Sequence, residues 1–228
     1  MGITIKTIPE KKEDKETNFK VRNIVEDRNK IIAKKFNIEP LDVNVHLYYV
    51  TSQLVSKVGS HDERLGVFSG YVDYEDVINI AHPIAIKPIF SENLDKQLSI
   101  MIDYTLLKMY LCKIYYPKEE DFKLYYKYLS DVIAKLISGN YVTSWIEYEI
   151  LKYNENLRYK KDLELLMILY VMLEKSGYDF IYSNLDTFFK DCNIKKSIMK
   201  IYKKDYKELI NLYKKEKLQE QKELKKVK

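Results

Sequence analysis

Residues 98–116, LSIMIDYTLLKMYLCKIYY, would be apolar on nearly every face of a helix, and such a segment belongs inside a larger structure. A second run, LELLMILYVML at 163–173, makes the same demand. Neither reads as a membrane span, which needs roughly 20 clean apolar residues. The first run contains Asp103, Lys108 and Lys113, and the second is only about 11 residues long. Both predict core helices. Gly (6) and Pro (5) are scarce in a chain of 228 residues, so few turns are announced and long helices are favoured over many short strands. With 32% charged and 46% hydrophobic residues the bulk is expected to be globular, and the length suffices for one large domain or two small ones.

The two cysteines, Cys112 and Cys192, match no metal or redox spacing. Cys112 reads as a small buried hydrophobe, and no disulfide scaffold is implied. The opening MGITIKTIPEKKEDKE has no long apolar region and is not expected to be a signal peptide. Lys6 stands where a myristoylation signal wants Ser or Thr. Together these lead to an expected cytoplasmic location.

Along the chain, ITIKTI alternates and reads as an edge strand. A helix is predicted over 18–36, with Val21, Ile24, Val25, Ile31, Ile32 and Phe36 at three-and-four spacing. VNVHLYYV at 43–50 alternates and predicts a strand. A flexible link, GSHDERLG, leads to VFSGYVDYEDVINIAHP, which reads as strand, turn and strand, ending at Pro83. Beyond it the pattern is helical: 93–115, 119–138, 142–156, 160–176, 178–191 and a tail from about 195. The expected fold is α+β and predominantly helical, with a small N-terminal mixed sheet packed on a helical body. The expected organisation is one domain over 1–194, its sheet-containing part about 1–92 and its helical part about 93–194, followed by a basic helical tail at 195–228. That tail carries 13 Lys and 5 acidic residues, a net of +8 in a chain of +5.

Common catalytic signatures are missing. There is no GxxxxGK[ST] phosphate loop and no GxGxxG fingerprint. GVFSG at 66–70 has Phe68 at its centre and is no nucleophile elbow. His46, His61 and His82 do not pair at ligand spacing and read as strand and loop histidines. Lys and Tyr interleave in YKKDYKELINLYKKEK. Lysines neutralise phosphates and aromatic rings stack on bases, which makes Lys203, Lys204, Lys207, Lys214 and Lys215 candidate nucleic-acid contacts. However, Tyr202, Tyr206, Leu209 and Tyr213 recur at four, three and four residues, and packing of one helix face on the body explains the pattern without nucleic acid.

The helix at 98–116 has the apolar frame in which gluzincin-like zinc peptidases carry H-E-x-x-H. In that motif the two His at i and i+4 reach one zinc and the Glu activates its water. Here the frame reads Asp103-Tyr104-Thr105-Leu106-Leu107. SWIEYEILKY at 144–153 resembles the family's second signature, a Trp-led helix whose Glu is the third ligand. Trp145, Ile146 and Tyr153 keep their spacing, Tyr148 takes the ligand position and Glu149 stands in place of Gly. LLMILYVMLEKSGYDFI at 165–181 resembles the apolar helix and turn that follow, and the opening helix and strands match the family's first half. Over about residues 20–190 the chain thus resembles a gluzincin-like metallopeptidase with a degenerate site.

The resemblance implies loss of the metal and of the peptidase chemistry. Asp103 alone can ligate, Leu107 has no lone pair, Tyr148 is a poor zinc ligand and Tyr104 cannot replace the carboxylate base. Glu147 and Glu149 point about 100° to either side of Tyr148 on a helix. The expected function is therefore a non-catalytic binding or scaffold module with no cofactor and no metal, taking a peptide or protein partner. Tyr71, Tyr74, Trp145 and Tyr153 are candidate cleft residues, and a strand near 71–80 is a candidate edge for an extended peptide. The alternatives are a nucleic-acid-binding protein and an enzyme with an unfamiliar site near Asp103. If Asp103 is only structural, a nearby Tyr or Lys is its expected partner, since a lone buried carboxylate is costly.

Overall fold

Alternation organises the sheet. In β2 (Val43–Tyr48) the odd positions Val43, Val45 and Leu47 are almost wholly buried, whereas Asn44 is exposed and His46 half-buried. The computed structural model describes residues 2–9, 15–58, 68–115, 120–140, 143–190 and 193–226. In it β1 (Ile3–Ile8), β2, β3 (Ser69–Val72) and β4 (Val77–Ala81) lie in the order β1-β2-β4-β3. β1 and β4 run parallel to β2, and β3 runs antiparallel to β4. The fold is α+β, mainly helical, with this small mixed sheet.

The helices are α1 (Lys15–Phe36), α2 (Thr51–Val58), α3 (Pro83–Phe90), α4 (Leu94–Tyr115), α5 (Glu120–Ser138), α6 (Thr143–Leu151), α7 (Lys161–Ser183), α8 (Leu185–Lys190), α9 (Ile194–Tyr202) and α10 (Tyr206–Lys226). None of them is long and apolar enough to cross a membrane. The chain divides into two compact units, Met1–Ile114 with Ile137–Asn140, and Tyr115–Leu136 with Tyr141–Lys228.

In the first unit, α1 makes the crossover between the parallel strands β1 and β2, as such a pair requires. Its Arg22 ties back to the Ile3 carbonyl at 2.7 Å. The core is the apolar sheet face together with the buried sides of α1 and α4, among them Val21, Val25, Ile32, Ile102, Leu106 and Met109. The predicted strand–turn–strand at 68–81 is β3, a 3-10 turn over Asp73–Glu75, and β4. Asp76 closes the turn in the left-handed region, φ 53°. Its carboxylate accepts from Tyr71 Oη at 3.0 Å and from Lys113 Nζ of α4 at 2.7 Å.

In the second unit, α10 packs on α6 and α7, and α9 packs on α8. Two chain features set its helix boundaries. α6 stops at Leu151, short of the predicted 156, where Asn154 Oδ1 accepts from the Asn156 N–H at 3.0 Å in a local turn. Gly177, at φ 80° and ψ 174°, interrupts α7 with a non-helical conformation that a residue with a Cβ would adopt only with strain. The predicted break between 160–176 and 178–191 falls at this glycine.

Two short helices, α2 and α3, have no counterpart in the sequence reading. The link GSHDERLG, with His61, lies outside the described residues, as does Cys192. Cys112 is half-buried rather than buried, because it lies just past Leu111, the last buried residue of α4.

Candidate functional site

The side of α4 that carries Asp103 and Tyr110, seven residues apart, meets α1 at Arg28 and Asn29. Arg28 Nε donates to Asp103 Oδ1 at 2.5 Å, and Arg28 Nη2 donates to Oδ2. Both carboxylate oxygens are thus engaged in the two-pronged geometry that a guanidinium offers and an ammonium does not. The partner is an arginine, not the expected tyrosine or lysine. Burial pushes the Asp103 carboxyl above its ordinary value, while the Arg28 hydrogen bonds and charge pull against that rise. Two turns farther along, Tyr110 Oη donates to Asn29 Oδ1 at 2.5 Å and accepts from the Leu41 N–H at 3.2 Å. Asn29 Nδ2 donates to the Leu41 carbonyl at 2.8 Å, which closes a buried polar network between α1, α4 and the chain entering β2.

Tyr104 and Leu107 are both buried. Tyr104 carries the Lys108 ammonium 5.9 Å from its ring centroid. Thr105 bonds back to the Met101 carbonyl at 2.9 Å. Residues 103–107 therefore behave as interior residues of α4, with Asp103 committed to α1.

The segment SWIEYEILKY lies on α6 and the turn after it, in the second unit. Tyr148 is 51% exposed, with the Lys152 ammonium 4.0 Å over its ring. Glu147 turns to α7, where it accepts from Tyr170 Oη at 3.0 Å. Burial is the main cause that raises the Tyr170 phenol, and Tyr213 and Glu147 add to it. Trp145 is half-buried. Tyr153 is buried and stacks on Tyr159 at 5.2 Å. In the first unit Tyr71 is also buried; the Tyr74 side chain lies outside the described set.

Several of the lysines considered for nucleic acid hold their own unit together. Lys207 donates to the Glu155 carbonyl at 3.1 Å and Lys214 to the Tyr153 carbonyl at 2.8 Å. Lys204 pairs with Glu208 at 3.2 Å. Lys203 is the left-handed cap that ends α9, and Lys215 is exposed. The interleaved tyrosines face inward, Tyr206 and Tyr213 being buried with Leu209 and Ile210.

Of the histidines, His82 is wholly buried, stacks on Tyr49 at 4.0 Å and accepts from the Ile84 N–H at 3.2 Å through Nδ1. His46 lies on β2. Among the described residues, no group of three or more His, Cys, Asp or Glu is placed to hold a metal ion. Arg28 is the residue that sequence reasoning missed, because it lies 75 positions from Asp103 in a helix with several other basic side chains. Comparisons with protein-family models, with curated proteins and with solved structures returned no match.

Proposed function

We propose that this chain is a non-catalytic relative of the gluzincin-like metallopeptidases that works as a binding or scaffold module for an extended peptide or protein segment. The observation that carries the reading is the state of α4. Where the family keeps its two His and its Glu, Asp103 is clamped by Arg28, and Tyr104 and Leu107 are buried. A catalytic zinc needs three protein ligands and an open position, and this segment offers neither. Part of the order of elements adds support: after β1, α1 precedes the other three strands, whose antiparallel edge is β3, and the buried α4 follows them. β3 is that edge, so β3, and not the interior β4, is the strand that would pair with an extended peptide.

The test combines metal analysis with peptide binding. Protein purified without chelator should contain no stoichiometric zinc by mass spectrometry. It should leave a mixed fluorogenic peptide library uncut while retaining a subset of the peptides. Ser69→Pro on β3, at an N–H that the register turns away from β4, should weaken that retention, since proline removes a donor from the open edge. Stoichiometric zinc held by Asp103 and histidines would overturn the reading, and so would peptide hydrolysis.

A further inference from the structure

The second face of the sheet is partly polar. The register places Lys6, His46, Asn79 and Gly70 in one row across β1, β2, β4 and β3. Tyr48 lies two residues beyond His46 on the same face. Parallel strands are normally apolar and covered on both faces. Here α2, only eight residues long, lies over the β3 side, where Val58 sits so close to Gly70 that a Cβ there would approach within 2.7 Å. The other side of α2 borders an open cavity of about 410 Å³ lined by Ser52, Gln53, Ser56 and Lys57, together with Tyr48 of β2.

We propose that this cavity is a binding site for a small molecule bearing an oxyanion, a phosphate or a carboxylate. Its size falls in the usual range for small-ligand sites, roughly 300–1,000 Å³. Its lining offers the Ser52 and Ser56 hydroxyls, the Gln53 amide and the Lys57 ammonium, donors that suit an acceptor-rich ligand. The lining is held in place. The Lys57 ammonium is fixed by Glu75. Tyr48 Oη donates to Asn79 Oδ1 at 3.1 Å, and Asn79 Nδ2 donates to the Val77 carbonyl at 3.1 Å.

Two residues before Tyr48 on the same sheet face, His46 Nδ1 is buried and, among the described residues, has no hydrogen-bond partner. Burial, then Lys6, holds the His46 imidazole below its ordinary value, so at neutral pH it offers one donor and one acceptor rather than a charge. Lys6 and Lys57 against Glu75 leave the neighbourhood with a surplus positive charge. The site lies on the sheet face opposite Val45 and Ile78 and is independent of the peptide-binding reading.

The experiment is a titration of the full chain, with labelled histidine rings, by inorganic phosphate and separately by acetate at fixed pH and ionic strength. The expected result is a saturable shift of the His46 ring resonances. The double variant Ser52→Ala/Ser56→Ala should weaken that binding at least about tenfold, and helix propensity favours its folding. Saturation by phosphate alone identifies a phosphate ligand, and saturation by acetate alone a carboxylate. No saturable His46 shift with either anion, or an unchanged affinity in the double variant, would overturn the proposal.

Discussion

Replacing Arg28 by Met keeps the aliphatic stem and removes the guanidinium, which isolates the charge pair for measurement. The two partners are unequally buried: the Asp103 side chain is 13% exposed and that of Arg28 37%. Breaking a fully buried pair costs about 3–5 kcal/mol because it strands the remaining charge. Arg28→Met strands Asp103, which keeps little contact with water, so a loss of about 3 kcal/mol is expected. Asp103→Asn strands Arg28 instead. That guanidinium is more than a third exposed and can stay hydrated, so about 1 kcal/mol is expected, as for surface pairs.

The pH dependence follows from the same geometry. Burial already raises the Asp103 carboxyl, and Arg28 is what opposes the rise. Without Arg28 its folded-state pKa climbs further. A raised carboxyl contributes stability that is complete below the unfolded value near 3.9 and is lost as pH rises through the folded value. The deficit of Arg28→Met should therefore be largest at neutral pH and shrink as the solution is acidified. Urea denaturation at pH 7 and pH 5, followed by far-UV circular dichroism and by exchange of the α1 and α4 amides, reads both effects. An Asp103→Asn loss equal to or above that of Arg28→Met, or a deficit that does not change with pH, would refute the reasoning.

Three further outcomes are expected. Gly70→Ala forces a Cβ against Val58 at 2.7 and 2.9 Å, should cost about 1–3 kcal/mol, and should be partly relieved by Val58→Ala in a double-mutant cycle. Ile210→Ala, at a wholly buried position on α10, should cost about 3 kcal/mol in urea denaturation; truncating this helix would unfold its unit, so nucleic-acid binding is better tested by reversing the charge of exposed Lys203 and Lys215. Tyr71, Tyr115, Tyr153 and Tyr170 have phenols raised chiefly by burial. Their contribution is complete below the unfolded tyrosine value near 10 and is lost above the folded values, so absorbance at 295 nm should show a late-ionising fraction that disappears in urea.

The long elements were legible because their patterns are long. The apolar circumference of α4, the three-and-four spacing of α1 and the alternation of VNVHLY each repeat enough to be read. Tyr206, Leu209 and Tyr213 of the four-three-four recurrence marked the inward face of α10, whereas Tyr202 ends α9, across a left-handed break at Lys203. α2 was missed because TSQLVSKV follows a strand and carries β-branched residues, with Leu54 and Val58 as its only packing signal. α3 begins with Pro83 at its first position, a start signal that read more simply as the end of a strand. The strand directions were hidden as well. Clean alternation usually marks antiparallel strands, yet β2 is parallel to both neighbours, and its alternation reflects the polar residues Asn44 and His46 on one face. The partner of Asp103 was illegible in principle, since nothing local in a sequence selects one basic residue on a distant helix.

The strand order β1-β2-β4-β3 also dictates an order of assembly. The last strand to be synthesised occupies an interior position. Once α1 has formed, β1 and β2 can pair, but β3 has no neighbour except β4, and the inner edge of β2 stays open until residues 77–81 arrive. An open edge is a template for pairing with another chain. The chain guards the interval through the side chains on that edge: Asn44 and His46 on one face, and on the other Val45 and Leu47, which α1 can cover as soon as it docks. The completion of the sheet is thus tied to the turn at Asp73–Asp76, which delivers β4 into the gap with β3 already beside it.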